Sequence, residues 1–141
     1  MAIRVVLDSN VLIAGLRSRN GALFRLLQLL RDGRYEIAIS VPLALEYEAV
    51  LTRHASDLEL SAADVETILN FLNSAALLQN IHYLWRPQLR DPNDEFVLEL
   101  AVAARCQAVV THNRRDFAGA EGLGVQVLTP ARFLRILEGM L

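Results

Sequence analysis

The sequence predicts an α/β domain, a parallel sheet covered by helices on both faces. Two observations lead there. Short apolar runs rich in β-branched residues alternate with longer runs of helical period, the pattern that crossover connections between parallel strands produce. The first run, residues 3–7 (Ile-Arg-Val-Val-Leu), is apolar at nearly every position rather than at every second one, as a strand buried on both faces requires.

The elements follow in order. Residues 10–16 are apolar and open a helix. Leu23, Leu26, Leu27 and Leu30 recur at helical spacing, and Asp32-Gly33 stops that helix. Residues 35–41 read as a second strand. Pro42 suits the first turn of a helix running to about His54. Ser61 and Asp64 form a capping-box start, with Asp in the usual Glu position, for a helix carrying Val65, Ile68, Leu69, Leu72 and Ala76. A third strand is expected at 81–85. Asp91-Pro92 opens a helix to about Gln107, residues 108–111 and 125–128 are strands, and 130–137 is a closing helix. No repeat, low-complexity tract or linker interrupts the 141 residues, so one domain over 1–141 is expected.

Composition narrows the function. Apolar residues make up 53% of the chain, which argues against disorder. No apolar run is long enough for a membrane helix. The N-terminus lacks the features of a signal peptide, and a cytoplasmic protein without membrane contact is the expectation. The single cysteine, Cys106, rules out an internal disulfide and a zinc-finger pattern. It lies in an apolar helical run and reads as an inert buried thiol. A net charge of −2 does not advertise nucleic-acid binding. All fourteen basic residues are arginine, however, and arginine grips phosphate as a bidentate fork.

The carboxylates carry the chemistry. In an open parallel sheet, ligands bind beyond the carboxyl ends of the strands. Asp8 ends the first strand. Glu46 lies in the helix after the second, Asp94 in the first turn of the helix after the third, and Asp116 in the loop after the 108–111 strand, behind Asn113. Each has a plainer use. Asp8 could cap the following helix. Asp91, Pro92 and Asp94 could be helix-start residues. Asp116 could be a turn residue. Glu46 has Pro42, Leu43, Ala49 and Val50 as helical neighbours and so faces an apolar surface, with Glu48 as the competing acid. Taken together, four acids at one end of a sheet suit a hard, oxygen-preferring cation, which would relieve their mutual repulsion. Among the histidines only His112 is near them, and it reads as a surface residue.

Four segments, Val6-Leu7-Asp8-Ser9-Asn10-Val11, the helix carrying Glu46-Tyr47, residues 90–101 beginning Arg-Asp-Pro-Asn-Asp94, and Val110-Thr111-His112-Asn113-Arg114-Arg115-Asp116-Phe117, together resemble the PIN domain signature in order. The Asp-Pro-x-Asp form is similar to the VapC-like branch, toxins of type II toxin–antitoxin pairs. The resemblance covers almost the whole chain. It implies a three-layer α/β/α sandwich around a central parallel sheet, and Mg²⁺- or Mn²⁺-dependent hydrolysis of RNA. It implies Asp8 and Asp94 as metal ligands, with Glu46 and Asp116 completing the catalytic pocket. The family's fourth position falls here on Asn113, a departure that bears on a second metal. Ser9 matches a small hydroxyl residue that orients Asp8. Arg114 and Arg115 could hold the RNA backbone. A cognate antitoxin that inserts an arginine among the acids, and a homodimer through the 23–30 or 65–76 helix, complete the expectation. The alternative is a PIN-fold RNA-binding module with little or no turnover. A haloacid-dehalogenase-type phosphotransferase is disfavoured, because Asn10 stands where that class needs a second aspartate and the chain has no lysine.

Overall fold

A computed structural model describes residues 3–18, 21–80 and 92–141. Five strands, β1 (Arg4–Leu7), β2 (Glu36–Ile39), β3 (Ala76–Leu78), β4 (Ala108–Val110) and β5 (Gln126–Leu128), form one sheet in the order β3-β2-β1-β4-β5. Every pairing is parallel, with Val5 opposite Ile37 on one side and Ala108 on the other. Among the described residues six helices connect or follow them: α1 (Ser9–Arg17), α2 (Ala22–Arg31), α3 (Val41–His54), α4 (Ala62–Ala75), α5 (Pro92–Ala103) and α6 (Pro130–Gly139).

The strand order decides where a ligand site can form. From β1 the chain steps outward to β2 and β3. It then returns across the sheet to β4, on the other side of β1. Right-handed crossovers place helices on opposite faces for these two directions. Accordingly α4, α3, α1, α2 and α6 touch one another in series, while α5 packs on β1, β2 and β4. The reversal of direction falls between β1 and β4, and the carboxyl ends of these strands are where an open parallel sheet binds its ligands.

The core explains the apolar pattern. Val5, Val6, Leu7, Ile37, Ala38, Val109 and Val110 are buried in the sheet. Leu23, Leu26 and Leu30 bury their side of α2 in this core as expected, but the fourth buried leucine is Leu29, and Leu27 is only partly buried. Tyr35 ties three elements together: its hydroxyl donates to the Leu26 carbonyl at 2.7 Å, and its ring meets Phe133 of α6 edge-on at 5.0 Å. Gly15 lets α1 and α2 approach. A Cβ there would lie 2.4 Å from the Cβ of Leu23, well inside contact distance.

Helix ends follow local chemistry. Ser61 and Asp64 exchange both bonds of a capping box, at 3.0 and 2.9 Å. Gly33, at φ 75°, closes α2 as expected. Two expectations need correction. The 108–111 helix–strand junction comes earlier than the sequence suggests: α5 stops at Ala103 rather than near Gln107, because Arg105 turns left-handed (φ 57°) and the Cys106 N–H returns to the Ala101 carbonyl at 2.8 Å. Cys106 is therefore buried beyond the helix, not within it. The third strand is Ala76–Leu78, where the sequence suggested the end of α4. Its pairing to Ile37–Ile39 overrides the helical preference of Ala and Leu. The expected 81–85 strand and the Asp91 cap lie outside the described residues.

Candidate active site at the carboxyl ends of β1 and β4

Asp8 is the residue after β1 and lies where the connections reverse. Its backbone continues the pairing one step past the strand, donating its N–H to the Val110 carbonyl at 2.9 Å. It occupies the N-cap position of α1 in extended conformation, yet its side chain makes no cap bond. The carboxylate turns instead toward β4. The Thr111 hydroxyl donates to Oδ2 at 2.8 Å, and the Asn10 amide donates to the same oxygen at 3.1 Å. The plain capping use of this aspartate is thereby excluded.

Thr111 and Asn10 are locked in turn. Thr111 is fully buried, and its Oγ1 accepts from Asn10 Nδ2 at 3.2 Å and from the Asn113 N–H at 3.0 Å. Asn10 Oδ1 accepts from the His112 N–H at 3.3 Å. The network thus clamps the end of β1 to the loop after β4 through one carboxylate oxygen. The nearby Ser9 backbone N–H also favours the ionised Asp8 carboxyl.

Asp8 is only 7% exposed. Burial pushes its carboxyl above the ordinary range, and the charge of Asp116 adds to this. The Thr111 and Ser9 bonds, and His112, work in the opposite direction. Among the described residues no ion pair compensates Asp8. A buried carboxylate held by neutral donors and facing a second acid is electrostatically unfinished, and a cation would complete it.

Of the other acids among the described residues, Asp116 is the one whose charge is felt at Asp8. It is exposed, in a 3₁₀ turn (Arg114–Phe117) pinned by the buried Phe117. Glu46 is half-buried in α3 and Glu48 is exposed. Pro42 and Ala49 beside Glu46 are themselves exposed, so its apolar surroundings are only partial. The adjacent Tyr47 is buried and donates its hydroxyl to the Leu7 carbonyl, directly before Asp8. Its phenol is pushed upward by burial first, then by the charges of both Asp8 and Glu46. Tyr47 thus ties α3 to the end of β1 beside Asp8, a role the sequence did not announce. Asp94 is the third residue of α5 and half-buried. Asn113, Arg114 and Arg115 are exposed beside the site.

The described residues contain no group of three or more His, Cys, Asp or Glu side chains close enough to enclose a metal ion. That does not disqualify the donor set for Mg²⁺. This ion keeps much of its water and is commonly held by one or two carboxylates together with substrate phosphate. Oxygen donors around a buried, uncompensated aspartate fit it. They do not fit a zinc site, which takes four protein ligands.

Comparison with known proteins identifies the fold and the family. No curated protein matches the chain in sequence. Among solved structures, one chain of VapBC2 from Rickettsia felis, bound to a DNA fragment from its promoter, superimposes with a TM-score of 0.57. Identity is 16%, and the match covers 89% of this chain and 98% of that one. One chain of VapBC-1 from nontypeable Haemophilus influenzae gives 0.56 at 16% identity, over 92% and 99%. At such identity the likeness is one of fold, and it bears out the three-layer sandwich. The PIN domain model matches residues 4–115, a span that holds Asp8, Glu46, Asp94 and Asn113 and stops one residue before Asp116. With the sheet order, the placement of Asp8 and this match in agreement, the chain belongs to the PIN domain family.

Proposed function

We propose that this protein is an Mg²⁺- or Mn²⁺-dependent endoribonuclease, a single PIN domain over residues 1–141, acting in the cytoplasm as the toxin of a toxin–antitoxin pair. The observation that carries the reading is Asp8: buried, fixed by Thr111 and Asn10 at the switch point of the sheet, and in no ion pair among the described residues. Asp8 and Asp94 would hold the metal. When bound, the ion would supply a more acidic water and a positive charge opposite the scissile phosphate. Asp8 keeps its orientation through bonds from Thr111 and Asn10, so its carboxylate would be positioned before a metal or substrate binds. Glu46 and Asp116 flank the pocket as further ligands or as acceptors that position water. Arg114 and Arg115, exposed on the adjoining turn, hold the RNA backbone through bidentate contacts.

The toxin role and an antitoxin partner are supported by the fold shared with the two VapBC structures and by the VapC-like Asp-Pro-x-Asp segment. A negative pocket containing a buried carboxylate invites an arginine from that partner, which would exclude the metal. A homodimer belongs to the same reading. The leucines of α2 are used by the core, but Phe24 on the same helix is exposed, so the dimer would use that helix or α4.

Purified protein is expected to cut single-stranded or looped RNA with Mg²⁺ or Mn²⁺ and to stop in EDTA. Cleavage that persists unchanged in EDTA would refute the metal dependence. The alternative, an RNA-binding module with little turnover, draws on the absence of a three-acid enclosure among the described residues. RNA binding without cleavage under every divalent ion would favour it. Sedimentation at micromolar concentration tests the dimer.

A further inference from the structure

Beside the Asp8 site lies a second feature that the hydrolytic site does not use. A cavity of about 290 Å³ opens along one face of α1. Val11, Ala14, Gly15 and Ser18 line it at helical spacing, and α2 and the start of α6 supply the opposite wall through Leu23 and Ala131. His112, which follows Thr111, also lines it.

The position ties the cavity to the site. Val11 is in the first turn of the helix that Asp8 begins, and its N–H is held by the Asp8 carbonyl at 3.0 Å. His112 follows Thr111 directly, its N–H is fixed by Asn10, and its charge is felt at Asp8. One residue therefore belongs to both the Asp8 site and the cavity. The remaining walls are aliphatic, with polarity confined to His112 and the Ser18 rim. The volume is at the lower bound of small-molecule pockets, about 300–1,000 Å³. It suits one flat ring system with apolar faces.

We propose that this cavity is a base-binding subsite. It takes a single nucleobase of the RNA strand whose phosphate lies at Asp8, with the His112 imidazole as its stacking or hydrogen-bonding surface. This rests on the reading of the Asp8 site as an RNA hydrolase and adds how the strand is placed there. Unstacked bases are commonly held against aromatic side chains in this manner. Such stacking changes affinity by about five- to 150-fold per base.

The test separates the subsite from the hydrolysis. Metal-free full-length protein is titrated with adenosine, guanosine, cytidine and uridine, and in parallel with ribose 5-phosphate, and followed by NMR. At least one nucleoside is expected to shift the resonances of His112, Val11, Ala14 and Ala131, and ribose 5-phosphate is expected to leave them in place. Ala131 is exposed, so Ala131→Leu fills the cavity mouth without disturbing the core. It should abolish those shifts with an unchanged melting temperature, and it should raise KM for RNA about tenfold wherever cleavage is measurable. Nucleoside shifts without any cleavage would leave the subsite standing and remove the hydrolase reading. Absence of shifts for all four nucleosides, or cleavage with an unchanged KM in Ala131→Leu, would overturn the subsite alone.

Discussion

Replacing Thr111 by Val keeps the shape of the side chain and removes one hydroxyl. That hydroxyl is fully buried and makes three contacts: it donates to Asp8 Oδ2 at 2.8 Å and accepts from Asn113 N–H and Asn10 Nδ2 at 3.0 and 3.2 Å. A hydrogen bond to a charged group is worth about 1.5–3 kcal/mol. The Asn113 backbone is more exposed, so water can replace part of its loss. A net cost of about 2 kcal/mol lowers Tm by roughly 5–10 °C for a chain of this size. The Thr111 bond also holds the Asp8 carboxyl down against burial. Its loss lets that carboxyl rise further, so cation binding, which needs the ionised form, should move to higher pH. Removing such a supporting residue typically lowers metal affinity or activity about 10–100-fold. Thr111→Ser is the control. It retains the hydroxyl and gives up one methyl group, about 0.8 kcal/mol, so it should lose some stability and recover the cation affinity. Thermal melts, Mg²⁺ titration by calorimetry across pH, and RNA cleavage would follow all three proteins. If Thr111→Val binds Mg²⁺ within twofold of the parent and melts at the same temperature, the clamp on Asp8 has no functional weight and the reasoning fails.

Three further outcomes are expected. The folded-state carboxyl of Asp8 is raised, so its stabilising contribution is fully present below the unfolded value of 3.8 and is lost as pH rises through the folded value. Asp8→Asn should therefore melt higher than the parent at neutral pH without metal and show a flatter stability–pH curve; an equal or lower neutral-pH Tm would contradict this. Gly15→Ala should destabilise. Helix preference favours alanine by about 1 kcal/mol, but the clash falls on the Leu23 Cβ, which cannot move without its backbone, and overpacking costs about 1–3 kcal/mol. A Tm that rises would show that α1 and α2 separate freely. The Cys106 thiol, pushed up to about 12 mainly by burial, should resist a thiol-specific disulfide reagent at pH 8 in the native state and react on unfolding. Rapid native reaction would place it at the surface.

Much of this fold is legible in the sequence because the signals are local. The β-branched run before Asp8, the Ser61–Asp64 box and the Asp32-Gly33 stop each specify their element within a few residues. The misses occur where tertiary contacts decide. Ala76, Leu77 and Leu78 carry no strand preference, and only pairing with Ile37–Ile39 makes them one. Arg105 ends α5 in a left-handed conformation that a glycine would have announced. At the site, Asp8 was evident as an acid closing a buried strand. Its partners were not, since Asn10 and Thr111 are 101 residues apart and meet only because β1 pairs with β4. Tyr47 does not stand out beside Glu46, because an isolated tyrosine in a helix carries no pattern that distinguishes a clamp from core filling.

The measurement that bears most directly on the central claim is calorimetric titration of Mg²⁺ into the full-length protein and its Asp8→Asn variant, with RNA cleavage followed on the same samples. Ion binding and EDTA-sensitive cleavage in the parent, both lost in a variant that remains folded, are the predicted result. A folded Asp8→Asn protein that still binds Mg²⁺ and cuts RNA at the parent rate would contradict it.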